Sequence, residues 1–108
     1  MPSDEPLSEE ELSAIELRAG AATPGPWVAR LETRQGIGGA SFVQLRPDAP
    51  RDDEFHLTRT TDGRTRTGPD PATDADLDFI AAARQDVPRL VAEVRRLREA
   101  LERAQPAG

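Results

Sequence analysis

Towards the C-terminus, Val87, Leu90, Val94, Leu97 and Leu101 recur at spacings of three, four, three and four, which lines them up along one side of an α-helix. No other feature constrains the fold as much, because a continuous apolar seam on a helix has to be covered by something. The seam spans two heptads, too short to hold an isolated coiled coil. It therefore calls for the rest of the domain, a second copy of the chain, or both.

The chain has 108 residues and no compositional break in its middle. It reads as a single domain over 1–108, with residues 1–7 and 105–108 as frayed tails. Hydrophobic residues make up 36% of it and sixteen of these are alanine, so few large side chains are available to fill a core. A core that thin points to help from self-association, a dimer above all. The absence of cysteine removes disulfides, thiolate catalysis, zinc-thiolate sites and iron-sulfur clusters together. No stretch approaches the roughly 20 apolar residues of a membrane span, and the acidic, proline-bearing residues 1–7 do not resemble a signal peptide. A cytoplasmic protein is expected.

All fourteen cationic side chains are arginine, with no lysine, asparagine or tyrosine, the bias of GC-rich coding. Arginine under that bias stands wherever any cation would serve, so its abundance is no signature of phosphate recognition. The net charge of -6 also disfavours a nucleic-acid surface, which needs excess positive charge. The distribution is uneven: residues 1–20 hold six carboxylates against Arg18, whereas residues 84–103 hold six arginines against four carboxylates. Ends of opposite sign are suited to lie together or to pair between subunits.

Ser8 and Glu11 have capping-box spacing, and Glu9, Glu10 and Glu11 suit a helix N-terminus. The helix they open presents Leu12, Ile15, Ala19 and Ala22 on one face and stops near Ala22, where Thr23-Pro24-Gly25-Pro26 breaks it. Trp27, Ala29 and Leu31 then alternate with Val28, Arg30 and Glu32, a strand pattern with one apolar face. Gln35–Gly39 reads as a hairpin loop and Ser41–Leu45 as the return strand, with Phe42, Val43 and Leu45. Glu54–Thr61 alternates again through Phe55 and Leu57, and Asp62-Gly63 is a type I′ turn signal into a polar strand, Arg64–Thr67. The closing helical region is expected to start at Thr73, with Leu77, Ile80 and Ala81 on one face. Asp86 and Pro88 predict a kink or a fresh start before the seam. Trp27, Phe42, Phe55, Phe79 and Ile80 are the expected structural core.

Signals for chemistry are sparse. His56 is the only histidine; Asp52 and Asp53 lie close by, but its place in an alternating strand, opposite Phe55 and Leu57, predicts a solvent-facing side chain. Asp74, Asp76 and Asp78 imitate the opening of a calcium loop, yet Phe79 and Gln85 stand where that loop needs glycine and glutamate. Gly36, Gly38 and Gly39 lack the lysine or following helix of a phosphate-binding loop. No serine has a glycine-flanked elbow. Arg89, Arg95, Arg96, Arg98 and Arg103 form a basic strip interrupted by Glu93, Glu99 and Glu102, with no aromatic nearby to stack on bases. No catalytic residue, cofactor or metal is expected.

Two blocks carry a resemblance: Ala22-Thr23-Pro24-Gly25-Pro26-Trp27, and Asp78-Phe79-Ile80-Ala81-Ala82-Ala83-Arg84 followed by Asp86-Val87-Pro88, Leu90 and the run from Glu93 to Leu97. Together they resemble small uncharacterised proteins of actinobacteria and their phages, similar to Ead-type accessory proteins of temperate phages. The resemblance implies a phage or mobile-element context and brings no activity with it. The expected architecture is α+β: an antiparallel meander of three or four short strands covered by the first helix and a long, possibly kinked C-terminal helix. The expected function is that of a non-enzymatic accessory protein binding a host protein. The alternatives are an acidic mimic in nucleic-acid metabolism, using Glu9–Glu11 and Asp74–Asp78, and a small metal-assisted enzyme using His56 with Asp52 or Asp53.

Overall fold

The computed structural model describes residues 5–31, 41–47, 53–57, 59–65 and 70–105. Two helices, a three-stranded antiparallel sheet and a separate two-stranded hairpin give an α+β fold. The chain read above as one domain is built from two compact units, Thr23–Gln85 and Met1–Ala22 with Asp86–Gly108.

The first unit contains β1 (Val28–Arg30), β2 (Phe42–Gln44) and β3 (Glu54–Phe55), paired in that order. Ala29 lies opposite Val43, and Val43 opposite Phe55. Residues directly opposite in an antiparallel pair share a face. One face of the sheet therefore carries Ala29, Val43 and Phe55 and the other carries Arg30, Phe42, Gln44 and Glu54. Alternation then selects the core: Ala29, Leu31, Val43 and Leu45 are buried, joined by Leu77 and Ala81 of the second helix, with Trp27 and Ile80 packed against them. β4 (Thr60–Thr61) and β5 (Arg64–Thr65) form an exposed hairpin. Asp62 and Gly63 at its turn have φ of 52° and 75°, the paired left-handed conformation of a type I′ turn. The strand expected over Glu54–Thr61 is thus divided between a sheet edge and this hairpin. The hairpin loop expected over Gln35–Gly39 lies outside the described residues.

The second helix, α2 (Pro71–Ala104), is 34 residues long and starts two residues before Thr73. The Asp70 carbonyl accepts the Asp74 N–H at 2.9 Å, and the Thr73 hydroxyl donates to the Asp70 carboxylate at 2.7 Å. Asp70 is therefore the cap, and Pro71 takes the first helical position, where its missing N–H matters least. No fresh start occurs at Asp86: the helix continues through Pro88. Pro88 removes one backbone hydrogen bond, but α2 is anchored on both sides of it, by Leu77 and Ala81 before and Val91 after.

The second unit joins α1 (Glu9–Ala21) to the later part of α2. The capping box forms as the spacing predicts: Ser8 Oγ accepts the Glu11 N–H and Glu11 Oε1 accepts the Ser8 N–H, both at 3.0 Å. The helix ends at Ala22, which is extended. Leu12 at 1% exposure and Val91 at 5% are its buried apolar side chains among the described residues. Arg95 binds Glu9 at 2.9 Å and Glu16 at 3.1 Å, and Arg98 donates to the Leu7 carbonyl at 2.6 Å. The oppositely charged ends thus lie together within one chain.

Three of the five expected core aromatics and aliphatics need correction. Phe79 is 74% exposed, because it stands about 200° around the helix from Leu77. Phe42 is only half-buried and lies on the sheet face opposite Val43. Phe55 shares the core face but is 47% exposed, since β3 is an edge strand and the core ends beneath it. Trp27 and Ile80 pack on the core as expected.

Candidate functional site

The most distinctive surface lies on the later part of α2. Leu90, Leu97 and Leu101 of the seam are 62%, 53% and 62% exposed, whereas Val87 and Val94 are half-buried. The cause is the position of α1. Its bonds reach Arg95 and Arg98, which follow Val91 by one and two turns on a strip neighbouring the seam. The valines lie towards that strip and the leucines away from it. Large leucines held more than half exposed in a row form a contiguous apolar stripe, which isolated surface leucines do not.

Charges frame the stripe. Arg96 Nε donates to Glu93 at 2.6 Å, and Asp86, Arg89, Ala92, Glu93 and Arg96 line a shallow depression beside Leu90. The Arg96 guanidinium holds the Glu93 carboxyl below its usual range. On the opposite flank, hydrogen bonds from Arg95 and then Ser13 lower the Glu9 carboxyl, while Glu9 and Glu16 raise Arg95. Glu93 and Arg96 form an ion pair at helical spacing within the basic strip. These charged groups are paired locally, while the leucine row between them is left exposed.

The outer face of the sheet is the second candidate. Register places His56 opposite Phe42, and their rings stack at 5.1 Å. His56 Nε2 lies 2.8 Å from Glu54 Oε1, and Arg30 Nε donates to Gln44 Oε1 at 2.9 Å. His56 is exposed as expected, but it lies past the end of β3, and Phe55 and Leu57 on either side are exposed as well. Asp53 pairs with Arg46 at 3.4 Å, Asp52 lies outside the described residues, and Asp76 pairs with Arg59 at 3.0 Å. Among the described residues no three histidines or carboxylates gather as metal ligands. The sheet face holds neighbouring pairs, each closed on itself.

One cluster escaped the sequence reading. The Gln85 amide accepts the Trp27 N–H at 3.0 Å and donates to the Trp27 carbonyl at 3.2 Å, offering the backbone the donor and acceptor that a neighbouring strand would. The Thr23 carbonyl accepts both Trp27 Nε1 and Arg84 Nε, at 3.1 Å and 2.6 Å. A Cβ on Gly25 would meet Gln85 Oε1 at 2.9 Å and Arg84 Cγ at 3.2 Å, so glycine is what fits there. The two blocks that carry the resemblance are therefore clamped to each other. Their pairing was the available signal, and the clamp is structural rather than chemical.

Comparison with protein-family models, curated proteins and solved structures finds no match to this chain. Among the described residues no helix is long and apolar enough to cross a membrane.

Proposed function

We propose that the chain is a non-enzymatic accessory protein that acts by protein–protein association through the leucine stripe of α2. The observation that carries this reading is the exposure of Leu90, Leu97 and Leu101 on one helical line. Removing such a stripe from water is the main driving force available to this surface. The resemblance of the clamped blocks to phage accessory proteins supports a phage or prophage origin, with a host protein in the cytoplasm as target. An acidic mimic is less well supported. Glu9 is bound to Arg95, Glu11 caps its own helix and Asp76 is bound to Arg59, so these carboxylates are committed within the chain.

The test is capture from an actinobacterial lysate with the tagged chain and with its Leu90→Glu and Leu97→Glu variants, both at exposed positions. A host protein retained by the parent chain and lost with either variant is expected. Equal capture by all three, or capture that instead requires Glu9 to Glu11, would overturn the stripe as the docking surface.

A further inference from the structure

We infer that the stripe is covered by a second copy of the same chain, with the two α2 helices parallel and in register. The inference rests on the stripe being a docking surface and names its occupant as the chain itself, so that the host protein is captured by the paired form and the Leu90→Glu and Leu97→Glu variants lose it by losing that form. Written as heptads, Val87, Val94 and Leu101 are a positions, Leu90 and Leu97 are d positions, and Ala104 is the next d. Valine at a with leucine at d is the combination that favours two parallel strands. A second copy supplies the same layers at the same heights.

Charge decides between the two orientations. The g positions are Asp86, Glu93 and Ala100, and the e positions are Val91 and Arg98. In a parallel pair each g residue faces the e residue of the following heptad across the seam. Glu93 then faces Arg98 of the second copy, and twofold symmetry makes that contact twice. Asp86 faces Val91 in that pair and gains nothing, so Glu93 is the discriminating group: an antiparallel pair would set g against g and leave its carboxylate with no cation opposite. The Glu93 side chain is 45% exposed and that of Arg98 is 36% exposed, so both have surface to offer. Glu93 already binds Arg96, but a carboxylate accepts several donors.

The rest of the unit fits this arrangement. α1 is bonded to Arg95 at b and Arg98 at e; it half covers the valines at a and leaves Leu90, Leu97 and Leu101 open to a second copy. Two copies would make a short bundle of four helices. From Val87 to Leu101 the seam is about 21 Å long, little for free peptides. Here α2 is already helical and braced by α1, so association is spared the unfavourable nucleation of a helix.

The chain has no cysteine, which allows a direct test. The parent chain is expected by light scattering at twice the 11.7 kDa of one copy. Leu97→Cys is expected to form a reducible disulfide dimer on mild oxidation, since d residues meet their own counterparts in a parallel pair; Glu99→Cys, at an outer position, is not. Glu93→Arg and Arg98→Glu should each weaken the dimer, on the order of tenfold, and the two variants mixed should prefer each other. Cross-linking only between Leu90→Cys and Leu101→Cys chains, a d position with an a position, would overturn the parallel arrangement. A monomeric parent chain would overturn the inference altogether. If that monomer still captures a host protein through Leu97, the docking reading survives; if Leu97 is irrelevant to capture, both fail.

Discussion

The sheet unit and the helical unit solve the same problem of size in different ways. Six side chains are buried together in the sheet unit, Ala29, Leu31, Val43, Leu45, Leu77 and Ala81. In the helical unit Leu12 and Val91 are the buried apolar residues described, and the helices are joined by Arg95 with Glu9 and Glu16. A buried leucine contributes about 1.5–3 kcal/mol, whereas an exposed ion pair contributes about 0–1 kcal/mol. The first unit is therefore held by its own core. The second is held largely by surface chemistry and leaves the leucines of α2 exposed, which is why the proposed association surface is placed there.

Truncating the sheet core should have the largest effect. Leu77→Ala, at 2% exposure, should lower stability by about 2–5 kcal/mol in urea titration. Leu97→Ala, at 53% exposure, should leave the fold of the isolated chain intact by circular dichroism and alter only its association. Equal losses of stability for the two would erase the contrast between the units.

Next comes the clamp. Gly25→Ala puts a methyl group 2.9 Å from Gln85 Oε1, and should cost about 1–3 kcal/mol in thermal unfolding as the clamp yields. Gln85→Ala removes the two bonds to Trp27 and should cost about 1 kcal/mol. In the variant lacking Gln85 the Gly25→Ala penalty should largely vanish. Additive losses would mean that the glycine is needed for another reason.

A smaller loss, about 1 kcal/mol, is expected for Ser8→Ala, because the capping box loses its hydroxyl acceptor. Helix content measured at 222 nm should fall with it.

The smallest effect is that of pH. The Glu9 carboxyl is held below its ordinary 4.5 by Arg95 and Ser13, so the folded state releases this proton more readily than the unfolded chain does. The stabilisation is complete above that ordinary value and disappears as pH falls through the lower, folded value. Glu9→Gln should flatten this acid limb of the stability curve, and added salt should shrink it as well. Both responses are expected in the helical unit, where Arg95 holds Glu9. Acid loss of equal size in the variant would place the titrating group elsewhere.

Local chemistry was well represented in the sequence. The Ser8–Glu11 box, the stop at Ala22, the Asp62-Gly63 turn and the alternation through Ala29 and Leu31 all depend on residues within a few positions of each other. Each appears as expected. The start of α2 was misplaced because Asp70 and Thr73 both have capping side chains, and the choice between them turned on Pro71. The core was misjudged where large side chains were favoured over position: Phe79 and Phe42 are bulky but sit on the wrong faces, while small Ala81 sits on the right one. Of the candidate site, the seam residues were legible by spacing. Which of them stay exposed was not, because that depends on where α1 comes to rest.

The sequence by itself determined the helix and strand types, their caps and turns, the apolar seam and the opposite charges of the two ends, since these are set by backbone preferences and side-chain periodicity over short range. Tertiary structure alone decided that Arg95 would be taken by Glu9 and Glu16, that Gln85 would grip Trp27 across 58 positions of chain, and that the leucines rather than the valines would face outward. Those outcomes depend on which surfaces meet, and a periodic pattern specifies that a face must be covered without specifying by what.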